Sequence, residues 1–404
     1  MLFRLQRTKS FFTGSALLTL FFVRITQAQG IDAGARQQAE LGASDGRSSD
    51  YFGGAVSLWG TRALIGGGLS SPIDQGAAYV FVFDGTGCRQ EAKLTPSDGK
   101  PFDLFGGSVS LLGERALIGG GLADRNKGAA YTFVFDGTNW NEEAKIVPSN
   151  LRNSDDFGSS VSLSGNRALI GASEASSTGA PGKAYVFVFD GTNWIQEAEL
   201  VPDHQTNVDF GISVSLSGNR ALIGADQSPT DNGKAYVFVF DGTTWKQEAE
   251  LTVPDGQPND RFGRSVSLSG NRALIGADQL QANPPAPGKA YIFAFNGVSW
   301  NQEAVLTSSD AQSTDNFGIS VSLAGKHALV GASQLDANGG LGGAGAAYLF
   351  VFDGTSWIQK SKLIAADGQP PDAFGSAVFL WKNRALVGAE RADDATGLAY
   401  IFTP

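Results

Sequence analysis

The 404 residues carry 40 acidic against 30 basic side chains, a formal net charge of −10, with one cysteine and two histidines. Such a chain repels nucleic acid and anionic lipid at long range, and a lone cysteine rules out an intramolecular disulfide. Two histidines outside any ligand-spaced pair argue against a zinc site or a Cys–His nucleophile.

At the N-terminus, Arg4, Arg7 and Lys9 precede an apolar segment from Phe11 to Val23, followed by Thr26-Gln27-Ala28. This resembles a secretory signal peptide over residues 1–28, cut after Ala28. The expected location is therefore extracytoplasmic: secreted, periplasmic or at the cell surface. Losing four cations with the leader takes the formal charge to about −14. No later stretch is long and apolar enough to span a bilayer.

From residue 29 to 404 the chain reads as a single domain made of one repeat. A Phe-Gly pair recurs at Phe52, Phe105, Phe157, Phe210, Phe262, Phe317 and Phe374, at spacings of 52 to 57 residues. Ten residues beyond each Phe stands Arg62, Arg115, Arg167, Arg220, Arg272, His327 or Arg384, and four further on a glycine, from Gly66 to Gly388. A gap of 12 to 17 residues then ends at a tyrosine, and nine residues after each of the first six tyrosines stands a Trp, or Cys88 in the first unit. Each unit reads as four short strands. "SVSLS" alternates with period two, Gly218-Asn219 suits a tight hairpin, "RALIGA" follows, "AYVFVF" is apolar on both faces, and "WIQEAEL" completes the unit. Alternating small serines suit the crowded innermost strand.

Seven such units predict an all-β fold, a seven-bladed β-propeller of four-stranded blades. The seventh unit, about 375–404, stops after its third strand, whereas "QQAEL" (37–41) matches "QEAEL" (247–251). Residues 36–42 are thus expected to complete the last blade and close a monomeric ring.

The Phe-Gly opening, "LIGA" or "LVGA", and Gly-x-Ala-Tyr look like the FG-GAP repeat of integrin α-chain propellers, most similar to its secreted bacterial branch. That resemblance covers nearly all of residues 29–404 and implies no single activity. It would also imply calcium loops between the first two strands, but those turns are only "SGN", "LGE", "WGT", "AGK" or "WKN" and lack the carboxylates calcium favours. No metal or other cofactor is expected, nor the integrin pairing with a β chain.

Catalysis would need residues that depart from the repeat and converge, and no catalytic residue is assigned. Cys88 and His327 read as substitutions at Trp and Arg positions. Gly66-Gly67-Gly68 and Gly119-Gly120-Gly121 lack the following helix of a phosphate cradle and read as tight backbone passage. Asp50, Asp103, Asp155, Asp260, Asp315 and Asp372 stand two before Phe and read as turn acceptors, with Asp209 one place closer in the fourth unit. All internal length variation falls on the rim formed by the second-to-third and inter-blade loops, the usual layout of a binding surface. Glu174, Asp226, Asp231, Asp278, Asp336 and Glu390, with Asp203 and His204, are its candidate ligand-binding residues and are expected to form an acidic surface. The expected function is binding or adhesion to a protein or polysaccharide. The alternatives are a polysaccharide-acting enzyme using rim or channel carboxylates, or a purely structural envelope protein.

Overall fold

The structure is a computed structural model and describes residues 35–68, 75–85, 87–123, 127–173, 181–204, 209–226, 232–279, 286–312, 315–333 and 343–403. The leader expected over residues 1–28 lies outside them. Seven antiparallel sheets of four strands make the ring. The fourth blade is typical: Ser213–Ser217 inside, then Arg220–Ala225, Lys234–Phe240 and Trp245–Leu251 outside. Its first hairpin turns over Gly218-Asn219, with Ser217 paired to Arg220 and Gly218 at φ 61°.

The N-terminal strand Arg36–Leu41 pairs antiparallel with the last strand, Leu398–Thr403, and completes the seventh blade. It takes up the register of the outer strands elsewhere: Glu40 faces Tyr400 as Glu250 faces Tyr236. Gln37 accepts the Ala366 backbone N–H at 3.1 Å, as Gln247 accepts that of Asp203 at 3.0 Å.

Two glycines explain the name-like recurrence of the motif letters. Gly211, after Phe210, has φ +96°, and a Cβ there would stand 2.4 Å from the Lys183 carbonyl of the neighbouring blade. A Cβ at Gly224 would fall 2.0 Å from the Gly263 carbonyl of the next blade. Neither space exists for a side chain. The phenylalanine beside the first glycine is fully buried in every blade. Phe210 packs against Tyr236 and edge-on to Phe238, with centroids 5.4 and 6.2 Å away.

The inner-strand serines do more than fit. Ser213 Oγ donates to Gly263 O at 2.8 Å, and Ser215 Oγ accepts from Leu268 N at 2.9 Å, so neighbouring blades are stitched around the channel. At the outer edge every third-to-fourth strand pairing contains a β-bulge. The residue left over by that bulge is Glu91, Glu143, Glu197, Glu248 or Glu303 in the first five blades, which redirects a carboxylate toward the blade junction.

There Arg167 binds Glu197 through two nitrogens at 2.7 Å and lies 4.3 Å above the Phe240 ring of the next blade, while Trp245 Nε1 of that blade donates to Glu197 at 2.8 Å. Hydrogen bonds from Arg167 hold the Glu197 carboxyl below its ordinary value, against partial burial and with help from Trp245. The recurring tryptophans are therefore occupied in packing and hydrogen bonding between blades.

Arg167→Ala is expected to cost about 1–2 kcal/mol in denaturant unfolding, since it removes a forked ion pair and a ring contact and leaves Glu197 with Trp245 alone. His327→Ala, at an exposed residue in a blade whose bulge carries Lys360 instead of Glu, is expected to stay within about 0.5 kcal/mol. Equal losses at the two sites would show that the junction network contributes nothing.

Candidate functional site

Each inter-blade loop delivers the chain to the channel mouth in the same way. In six blades the aspartate two before Phe accepts the backbone N–H of the residue three positions earlier, at 2.6–2.8 Å, as the turn reading expected. The residue immediately before Phe is left-handed in all seven: Tyr51, Leu104, Asp156, Asp209, Arg261, Asn316 and Ala373, with φ between 51° and 64°. Non-glycine residues adopt that conformation only where the surroundings impose it. The second strand meets the same mouth just after its "GA", at Gly68, Gly121, Ser173, Asp226, Asp278, Ser333 and Glu390.

Charge gathers at these positions in blades four and five. Arg261, 6% exposed, is clamped between Asp226 of the preceding blade at 3.2 Å and Asp278 of its own at 3.1 Å. Arg264, two residues after Phe262, approaches Asp226 at 3.9 Å and remains one-third exposed. Asp209, 7% exposed, sits next to them. Burial, reinforced by the Asp226 charge and opposed by Arg264 and Arg261, pushes its carboxyl up to about 6. Across the mouth, burial raises Glu390, against the pull of Arg391 and Arg264. Among the described residues, Asp226 Oδ1 is buried with no hydrogen-bond partner.

The eight candidates from the sequence therefore separate. Asp226, Asp278 and Glu390 do lie at the mouth on the variable rim. Asp226 and Asp278 are only 2% and 1% exposed and neutralise an internal arginine, so the acidic surface expected there is largely withdrawn into an ion-pair cluster. Asp203 and His204 are exposed on an inter-blade loop. Glu174, Asp231 and Asp336 lie outside the described residues.

Sequence reasoning passed over Arg261, Arg264 and Asp209 as members of the site. Their signal was available: Arg264 stands where other blades have Gly54, Gly107, Ser159, Ile212, Ile319 and Ser376, and Arg261 and Asp209 are, with Asp156, the charged occupants of the left-handed position before Phe. Departure from the repeat is here combined with convergence in space. The cluster offers a reachable guanidinium, an unmatched carboxylate oxygen and a carboxyl that is protonated below about pH 6. Among the described residues no three His, Cys, Asp or Glu side chains are grouped so as to hold a metal ion.

Because the folded protein binds the Asp209 proton more tightly than the unfolded chain, the linked stability is fully present below about pH 4 and lost as pH rises through about 6. Asp209→Asn, an amide already found at the equivalent left-handed Asn316, should melt with the wild type near pH 4. It should be more stable near pH 8, by on the order of 2 kcal/mol. Superimposable stability curves across that range would remove Asp209 from the cluster.

A family model described as FG-GAP repeat matches the chain seven times, over residues 35–81, 88–133, 140–187, 194–238, 245–293, 300–350 and 357–402. No curated protein matches. Among solved structures, the crystal structure of the Saccharomyces cerevisiae Sqt1 is similar at 12% identity over 86% of this chain and 82% of that one, with a TM-score of 0.48. A likeness that loose carries nothing about partners.

Proposed function

The chain belongs to the FG-GAP repeat family, and we propose that it acts outside the cytoplasm as a binding or adhesion module, holding a protein or polysaccharide partner on its variable rim. One observation carries this reading. The charged residues Asp209, Asp226, Arg261, Arg264 and Asp278 converge at the channel mouth on the rim where loop length varies, and in their places the other blades close with uncharged residues except at Asp156 and Glu390. A leader over residues 1–28 would deliver the module, and among the described residues no helix is long and apolar enough to cross a membrane.

Immobilised protein should retain a partner from envelope extract, or bind a spot on a glycan array. The signal should be lost when the loops after Gly224, Gly276 and Gly331 are shortened without loss of thermal stability. Retention unchanged by the trimming, or no partner from either source, would overturn the reading.

The enzyme reading has one observation in its favour: Asp209, with its raised carboxyl, lies near a second carboxylate, Asp226, and acid–base catalysis uses paired carboxyl groups. A polysaccharide-acting enzyme built on them would lose at least about a hundredfold in turnover with Asp209→Asn. Polysaccharide cleavage that survives both Asp209→Asn and Asp226→Asn would eliminate it.

A further inference from the structure

The rim opposite the variable one, formed by the first-to-second and third-to-fourth strand turns, changes character at the closing junction. In blades three to five the inner strand ends on Ser164, Ser217 or Ser269, whose hydroxyl accepts the turn glycine N–H of the next blade at 3.0–3.3 Å. Blades one and seven end it on Trp59 and Trp381 instead. The two indoles touch, with centroids 5.9 Å apart, yet Trp59 stays 40% exposed. A directed tie between blades has been exchanged for an aromatic surface that packing does not use up.

The charge of this sector departs from the repeat as well. In blades one to five the arginine after the turn meets the bulged glutamate of its own blade, and Arg62, three residues after Trp59, meets both Glu91 at 2.6 Å and Glu114 at 3.0 Å. Arg384, three residues after Trp381, has no carboxylate partner among the described residues. The bulged residue of its blade is Gln38, and its guanidinium holds the Gly60 carbonyl at 3.2 Å and lies 4.5 Å above the Phe83 ring. In the turn before it stands exposed Lys382, its Nζ 4.5 Å above the Trp381 ring. In blade six, exposed Lys360 has replaced the bulged glutamate, and exposed Lys326 stands in the turn where blades two to five carry Glu114 or an asparagine. The turn carboxylates of this sector, Asp84 and Asp353, accept backbone N–H groups of their own turns, from Gly87 at 3.0 Å and Thr355 at 2.7 Å. In a protein of formal charge −10, this sector of the rim is cationic and aromatic.

We propose that it is a second docking surface, for an acidic segment of a partner protein, whose carboxylates meet Lys382, Arg384 and the lysines of blade six while an apolar or aromatic side chain seats on Trp59. Charge complementarity selects an acidic partner: the cations left over here are those whose carboxylates the repeat supplies elsewhere. A polypeptide fits better than a saccharide. Lys382 already lies over the Trp381 ring, so no pair of open indole faces is left for successive sugar rings to stack on, and a single exposed tryptophan ringed by arginine and lysine has the make-up of a protein hot spot. This surface lies on the rim away from the variable loops and does not depend on them.

The test titrates the full chain with a random glutamate–tyrosine copolymer, with polyglutamate, with polygalacturonate and with anionic phosphatidylserine vesicles. The copolymer should bind saturably, more tightly than the other three, and more weakly as salt is raised. Trp59→Ser, which installs the residue of blades three to five, should weaken binding about tenfold or more. Lys382→Glu should weaken it about threefold to tenfold with the melting midpoint unchanged, whereas Lys246→Glu, at an exposed lysine of blade four, should bind as the wild type does. Trimming the loops after Gly224, Gly276 and Gly331 should leave copolymer binding intact, so this surface and the variable-rim reading can fail separately. The proposal is overturned if the copolymer does not saturate, if polyglutamate matches it and the indole has no role, or if polygalacturonate or the vesicles bind as tightly. Should Trp59→Ser fail to fold, Lys382→Glu decides: affinity equal to that of the wild type overturns the proposal.

Discussion

The ring depends on one close approach made seven times. At the glycine ending each "LIG" or "LVG", an added Cβ would stand 1.9–2.0 Å from the carbonyl of the Gly that follows Phe in the next blade, from Gly66 against Gly106 round to Gly388 against Gly53. No side chain can enter there, so the second strand of one blade and the inner strand of the next are held at backbone distance. Everything else at a junction follows from that spacing. Serine hydroxyls can reach the neighbouring backbone, and an arginine can span its own bulged glutamate and the aromatic ring of the next blade.

The remaining ties vary together, which shows that they act as units. Five junctions carry the Arg–Glu–Trp set. At the sixth, Glu has become Lys360, Arg has become His327, and the Trp position of the seventh blade is Ala35. At the closing junction the bulged residue is Gln38, and Cys88 replaces the Trp. Where the carboxylate is gone, so is the indole that would have donated to it. The closing junction also loses both inner serines, to Ala377 and Phe379, and compensates with apolar contact. Trp59 and Trp381 lie 5.9 Å apart across it, and Cys88, its thiol pushed up to about 11 by burial, sits in the cluster joining the first and last blades. The chain ends themselves meet inside blade seven, where Arg36–Leu41 pairs with Leu398–Thr403, while the junction of blades seven and one is held by apolar burial and by Arg384 4.5 Å above the Phe83 ring.

Blade count, strand order and the displaced closing strand could be read in the sequence because each rests on a period, and a period is visible without coordinates. The turn role of Asp103 or Asp315 was legible for the same reason. What the sequence concealed was pairing across blades. Glu197 looks like any solvent-facing residue of an outer strand until a bulge turns it toward Arg167. Asp226 and Asp278 read as the acidic start of a variable loop, because the arginine that buries them, Arg261, stands 35 and 17 residues away in the chain. Linear spacing within one unit says nothing about which side chains meet across a junction, and burial of charge is decided there.

The charged mouth sits beside one of the fully tied junctions. The junction between blades four and five keeps its full set of ties: Ser213 to Gly263, Ser215 to Leu268, and Arg220 with Glu248 and Trp300. Against that frame the protein holds a left-handed Arg261 between two buried carboxylates, and a left-handed Gln279 whose oxygen has no partner among the described residues. Ion pairs taken out of water rarely add net stability, and strained backbone persists only when its surroundings over-determine it. Neither feature helps the ring to close, since blades one to three close with Gly68, Gly121 and Ser173 at the positions of Asp226 and Asp278. Their concentration at one sector of one rim, beside a fully tied junction, places groups that are costly to bury where rigid surroundings can hold them.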